Sequence, residues 1–221
     1  MNTILAVEAS TFQTSVAIQK PDGSLEQVLH RAVRPDSTKI LLMIDYLLGA
    51  ANAAPGDVDG FAVGAGPGSF TGLRVAYSVV KTFAMQYAKP VLPVSAMDAI
   101  AASLSGLPGT LAVAQTARKG FVYAAVYHLG ICIREPAYVS EDALAAFLDT
   151  GAQPRFLAGN FAMHAAVDAF PGVSLLTGYE SPEARHIAGM GQLLLEEGGG
   201  IPAEDAVPLY LRASEAEEGL S

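Results

Sequence analysis

Four glycines fall within nine residues, Gly64, Gly66, Gly68 and Gly72, between two apolar stretches. Glycine takes positive φ angles without steric penalty and lets backbone approach backbone closely. Where such a turn opens a helix, its N–H groups point outward and favour an anion. Ser69 and Thr71 can cap that helix or donate to a phosphate. Arg74, just inside the helix, is the preferred phosphate or partner contact among the nearby bases Lys81, Arg118 and Lys119. The turn has no lysine, so it is not a P-loop, which closes on Gly-Lys-Ser/Thr. Pro67 stands where a nucleophile elbow needs its first glycine. Gly66, Gly68, Ser69, Thr71, Gly72 and Arg74 are therefore candidates for a phosphate contact or for a purely structural turn.

Other reactive side chains are sparse. Glu8 ends the first apolar run, either as a charge held by neighbouring N–H groups or as a ligand for metal-assisted phosphoryl chemistry. His30, His128, His164 and His186 are scattered, with no pair four residues apart, so no metal site is expected. Cys132 is the single cysteine, which excludes an internal disulfide and a cysteine-based zinc cluster and suits a reducing compartment. The opening residues carry no base before the apolar run, unlike a signal or transit peptide. No stretch approaches the roughly 18 apolar residues of a spanning helix. A cytoplasmic protein without a membrane partner is expected.

The formal charge is −9, which disfavours unaided grip on nucleic acid. Acid is concentrated from Glu196 to Glu218, where Arg212 is the only base. That stretch reads as a solvated tail or as a contact for a basic partner.

The elements that must hold these residues follow from periodicity. Ile4–Glu8, Ser15–Ile18 and Leu25–Leu29 read as strands, the last two joined by the turn Pro21-Asp22-Gly23-Ser24. A helix is predicted over about 37–52, with the stripe Ile40, Leu41, Ile44, Leu47, Leu48 and Ala51. The strand Val58–Val63 leads into the glycine turn. A second helix runs from about Leu73 to Tyr87, with inner face Leu73, Ala76, Val80, Phe83 and Tyr87. After the strand Pro90–Val94, Ser95 caps a further helix, with Asp98 at its third position. Gly106-Leu107-Pro108-Gly109 reads as a linker. The pattern then restarts with strands at Thr110–Ala114, Phe121–His128 and Ile131–Arg134. A helix from Ser140, a strand Arg155–Ala158, a short helix Phe161–Ala169 and a strand Val173–Leu175 follow. Ser181-Pro182-Glu183 starts the last long helix, which Gly198-Gly199-Gly200 stops. Val207–Leu211 is a final extended piece.

An α/β protein with mixed sheets flanked by helices is expected, in two lobes of residues 1–105 and 106–221. The final segment is a candidate to pack back on the first lobe. By analogy of fold, each lobe is expected to be ribonuclease-H-like, as in the actin-like ATPase superfamily. The outer faces of the two long helices of the first lobe carry Met43, Tyr46, Tyr77, Val79 and Met85, with Lys81 beside them. Aromatics and methionine are enriched at interfaces, so these six form a candidate partner surface.

The string GPGSFTGLR at 66–74 resembles the signature of the TsaB family, also called YeaZ. ILAVEAS at 4–10 resembles the family's opening ILAIDTS. ARKGFVY at 117–123 resembles its ARRGEVY, and PLYLR at 208–212 its C-terminal PLYLR. The helix around Leu41–Leu48 and the Val94-Ser95 step also match in order, so the resemblance runs from Ile4 to about Arg212.

The resemblance implies an actin-like fold and a subunit without catalytic residues of its own. Such a subunit binds the catalytic TsaD and recruits TsaE, an ATPase, for threonylcarbamoyl transfer to the adenosine beside the anticodon of tRNA. It would form a homodimer when alone, meet tRNA only indirectly, and hold no cofactor itself, with ATP bound at the interface of the assembled complex. The two long helices of the first lobe are the family's shared dimer surface. Several positions depart from the family: Glu8 for aspartate, Ala65 for arginine, Asp36 for a histidine before Ser37, Thr116 for aspartate and Phe121 for glutamate. These changes remove charge from where a nucleotide would sit. An actin-like ATPase or kinase is the alternative reading, and a peptidase a more remote one.

Overall fold

The structure, a computed structural model, describes residues 2–32, 38–151 and 155–211. The expected helix start at Ser37, the Asp36 carboxylate, Arg212 and the acidic stretch beyond residue 211 lie outside the described residues. In chain order the elements are β1 (Ile4–Glu8), β2 (Gln13–Gln19), β3 (Leu25–Arg31), α1 (Ile40–Ala50), β4 (Gly60–Gly66), α2 (Phe70–Tyr87), β5 (Val91–Ser95) and α3 (Ala96–Ala102). They continue with β6 (Thr110–Thr116), β7 (Phe121–His128), β8 (Ile131–Ser140), α4 (Glu141–Leu148), β9 (Arg155–Ala158), β10 (Val173–Leu175) and α5 (Ala184–Glu196). No helix among the described residues is long and apolar enough to cross a membrane.

Two compact units result. The first comprises Met1–Ala99 with Pro182–Leu209, so α5 returns to it. Its sheet has the order β3-β2-β1-β4-β5. β1 to β3 form an antiparallel meander, and β4 and β5 continue in parallel from β1. Alternation along β1 explains the layers. Leu5 and Val7 face a core closed by α1 and α2, while Ile4 and Ala6 face one closed by α5. Burial on both faces is why β1 reads as a continuous apolar run.

The second unit comprises Ile100–Ser181 with Tyr210 and Leu211. Its sheet has the order β10-β9-β6-β7-β8. Numbered from its own first strand and read from the β8 edge, that is again third, second, first, fourth, fifth. β6 pairs antiparallel with β7 and parallel with β9, as β1 does with β2 and β4. The same mixed sheet therefore occurs twice without repetition of sequence, which is the ribonuclease-H-like pattern expected for each lobe. Leu144 and Leu148 of α4 close its core against Val122, Ala124 and Leu157.

Several local expectations are corrected. On α1, Met43 is buried and Leu41 exposed, so the stripe runs through 40, 43, 44, 47 and 48. Met43 (6% exposed) and Tyr77 (3%) lie in the core of the first unit, not on an outer face. Val79 is half-buried against the same core. α2 begins at Phe70, and its buried face takes Tyr77 and Ala84 while Tyr87 is exposed. A helix that packs on both a sheet and a neighbouring helix buries a stripe wider than a single i, i+3, i+4 row. The expected helix over 161–169 is two short 3-10 turns, Asn160–Met163 and Val167–Ala169. β8 extends to Ser140 because its pairing with β7 continues past Arg134. Ser95 does cap α3, accepting the Asp98 N–H. α5 is not capped by its own Glu183. Its Ala184 N–H donates instead to Ser15 Oγ on β2, at 2.9 Å.

Candidate functional site

The glycine turn lies where β1 and β4 end side by side in parallel. Gly66 takes φ +98° and precedes a cis bond to Pro67. The other three glycines are required by close approach. A Cβ on Gly64 would sit 1.6 Å from Glu8 Oε2, one on Gly68 2.3 Å from Ser10 O, and one on Gly72 2.0 Å from Ala9 O. Real Cβ atoms do not tolerate such contacts, so the turn is moulded against the end of β1.

Hydrogen bonds fix the same arrangement. Ser69 N–H donates to Ser10 O at 2.7 Å, and Ser69 Oγ accepts the Gly72 N–H at 3.2 Å. Ser69 is thus the N-cap of α2, as its position predicts. Thr71 lies inside the first turn of the helix with its side chain exposed and is not the cap. On the other side, Leu209 N–H donates to Ala65 O at 2.8 Å, and Leu209 O lies 3.2 Å from the Cβ position of Gly66. The Arg74 guanidinium lies 5.2 Å from the ring centre of Phe70, one turn back on the same helix. These contacts suit a structural turn. Two of the donors that a phosphate would meet, the Ser69 and Gly72 N–H groups, are already taken by Ser10 O and Ser69 Oγ.

Glu8 is the chemically distinctive residue here. It is fully buried, and its Oε1 accepts the Ser10 N–H at 2.5 Å. Its Oε2 has no hydrogen-bond partner among the described residues and packs against the bare Cα of Gly64. Burial pushes the carboxyl up to about 7, against the opposing pull of the hydrogen bonds from Ser10. An aspartate would be one methylene shorter, and Gly64 is what makes room for the longer acid. The carboxyl is turned into the protein and is not presented to solvent as a metal ligand would be.

The remaining candidates are dispersed. Thr116 donates from both N–H and Oγ1 to Asn160 Oδ1, at 2.6 and 3.0 Å, tying the end of β6 to the turn after β9. The Phe121 ring stacks on Tyr138 with centroids 4.7 Å apart, and Arg118 lies over it at 5.5 Å. His30, His128 and His186 lie on β3, β7 and α5, and His164 follows a 3-10 turn. Burial, then the neighbouring Arg185, holds His186 below the ordinary histidine range, against the pull of Glu183. No group of three His, Cys, Asp or Glu side chains that could hold a metal occurs among the described residues.

Of the proposed partner surface, Tyr46 (66% exposed) and Met85 stand outward on α1 and α2. Lys81 is half-buried, and its Nζ donates to the main-chain oxygens of Glu204 (3.3 Å) and Ala206 (3.0 Å). Sequence reasoning missed Leu41 and Leu42, which are exposed beside Tyr46. The signal was present: α1 carries more apolar residues than one helical face can bury. The strap of residues 201–209, within the segment offered as a candidate to pack back on the first lobe, is held by contacts with Val91, Lys81 and Ala65 that are all remote in sequence.

Comparison with known proteins places this geometry. The family model described as TsaD, tRNA N6-adenosine threonylcarbamoyltransferase, matches residues 29–165. The tRNA threonylcarbamoyladenosine biosynthesis protein TsaB of Bacillus subtilis is 26% identical over 97% of this chain and 96% of its own. YeaZ from Pseudomonas aeruginosa superposes with a TM-score of 0.83 at 30% identity, covering 96% of this chain and all of that one. A second Pseudomonas aeruginosa structure, described as similar to the peptidase YEAZ, gives a TM-score of 0.85 at 32% identity, again over 96% and 100%.

Proposed function

The chain belongs to the TsaB (YeaZ) family, and on that premise we propose that it acts in tRNA threonylcarbamoyladenosine biosynthesis as a non-catalytic scaffold subunit. In this reading it binds a TsaD-like catalytic subunit in the cytoplasm, and the pair recruits a TsaE-like ATPase. tRNA is met through the assembly. Any ATP is held at the interface of the assembled complex, not by the glycine turn. Alone, the chain pairs with a second copy through the surface that the catalytic subunit uses.

One contrast carries the reading. The carboxylate that an actin-like ATPase would direct at a metal is here Glu8, buried and turned inward. The outer face of α1 meanwhile leaves Leu41, Leu42 and Tyr46 in solvent. An apolar group of this kind on a folded surface supports association more than it supports chemistry.

The test is a pair of substitutions on that face, Leu42→Glu with Tyr46→Glu. Both side chains are exposed, so the melting temperature should stay within a few degrees of wild type. Co-purification with the TsaD-like subunit should be lost, together with threonylcarbamoyl transfer in the reconstituted system. Retained association at wild-type affinity would remove α1 as the partner surface. Strong metal-dependent ATP turnover by the isolated chain would remove the scaffold reading itself.

A further inference from the structure

The edge of a β-sheet presents a row of unpaired N–H and C=O groups, and folded proteins blunt it with a short strand, a bulge, a proline or a covering segment. The edge strands here are β3 and β5 in the first sheet and β10 and β8 in the second. Along β5, Ile201 exchanges two main-chain hydrogen bonds with Val91, both at 2.9 Å. β10 is only three residues long. β8 shifts register twice against β7 and carries Pro136. β3 has none of these devices. It runs for seven residues in unbroken register with β2, from Leu25 opposite Gln19 to Arg31 opposite Gln13, and contains no proline, glycine or lysine. Among the described residues no strand pairs with its outer edge.

β3 is also held in place from both faces. Val28 packs against the core that α1 and α2 close. On the opposite face Gln27 Nε2 donates to Glu183 Oε2 at 3.0 Å, and Gln27 Oε1 accepts the Arg185 N–H at 2.8 Å, at the start of α5. On either side of Gln27, Leu25 (40% exposed) and Leu29 (48%) stand in solvent. The charges are sorted along the strand, with Glu26 near its start and His30 and Arg31 at its end. A parallel copy in register would set like beside like. An antiparallel copy brings the acidic end to the basic end.

We propose that the outer edge of β3 pairs antiparallel with β3 of a second copy of this chain, joining the first-unit sheets of the two copies into one. The register that uses all seven residues has its two-fold axis at Val28. It sets Val28 directly opposite Val28 of the second copy, Glu26 opposite His30, Gln27 opposite Leu29 and Leu25 opposite Arg31. The two Leu29 side chains become diagonal neighbours across the axis, within reach of one another, and lose their exposure to water. No like charges face each other in this register. A two-fold contact has to be complementary to itself, and this strand meets that condition in both its charge order and its apolar positions. The contact shares no residue with the outer face of α1, so it is open whether or not that face is occupied.

The experiment uses the full-length chain carrying Leu42→Glu and Tyr46→Glu, so that the α1 face does not contribute. Analytical ultracentrifugation should show a reversible equilibrium between monomer and dimer. Adding Leu29→Lys, at an exposed position, should weaken the dimer about tenfold or more. Adding Glu26→Lys, which sets like charges opposite each other across the axis, should weaken it as well. Thermal melts would verify that both variants fold like their parent. Amide hydrogen exchange should slow in β3 as protein concentration rises, and should not change in β8. A parent that stays monomeric up to about 1 mM would overturn the proposal. So would undiminished dimerisation of either variant. If the β3 amides slow only when a TsaD-like subunit is added, that subunit and not a second copy is the occupant, and the proposal falls. Self-association of the α1 variant tests this contact alone, and its loss of the TsaD-like subunit tests the scaffold reading, so the two failures are separable.

Discussion

Glu8→Gln isolates the most unusual group in the protein. In the folded chain the Glu8 carboxyl holds its proton to about pH 7, whereas its ordinary value is 4.5. Between those two values the folded state binds more protons than the unfolded state. Stability contributed by this group is therefore full below about pH 4.5, falls as pH rises through the window, and is flat again above about pH 7. At about 1.4 kcal/mol per pH unit, the whole window amounts to about 3 kcal/mol. Glutamine keeps the shape and never ionises. At pH 5 the variant and wild type should agree within about 1 kcal/mol, since a neutral acid and an amide bury alike. At pH 8 the variant should be more stable by about 3 kcal/mol, or roughly 6–12 °C in Tm for a chain of this length. Urea unfolding of both proteins from pH 5 to pH 8 reads the difference directly, and the other carboxylates cancel between them. If the two pH profiles run parallel, Glu8 is not held as a buried neutral acid, and the reasoning from its burial fails.

Two further predictions test the turn and the strap. Gly72→Ala drives a Cβ against Ala9 O and should destabilise by about 2 kcal/mol or more in chemical denaturation. Gly49→Ala, on α1 where nothing lies within 4 Å, should stabilise by up to about 1 kcal/mol, and equal effects at the two sites would refute the close-approach argument. Lys81→Met removes the donor held by Glu204 O and Ala206 O, and should cost about 1–3 kcal/mol. Hydrogen exchange at the Leu209 amide, which bonds to Ala65 O, should quicken with it. Unchanged exchange there would show that Lys81 does not hold the strap.

Local signals were reliable where a short-range cause sets the structure. The β1 run, the Ser69 and Ser95 caps and the start of α4 after Ser140 depend on neighbouring residues, and each lies where its sequence places it. The doubled pattern of strands and helices was legible for the same reason. The 66–74 string was enough to point to the family. Periodicity could not say which side of α1 and α2 faces inward, because both helices carry apolar residues around more than half their circumference. Packing decided that Met43 and Tyr77 go inside and that Leu41 and Leu42 stay out. The burial of Glu8 was equally hidden, since it depends on a glycine 56 positions later that gives its carboxyl room without offering a partner. The strap over the turn rests on Lys81, Val91 and Ala65, each more than a hundred residues from its partner. Sequence determines the conformations that residues prefer among their neighbours. Which charge loses its water, and which apolar face keeps it, is settled only when distant segments meet.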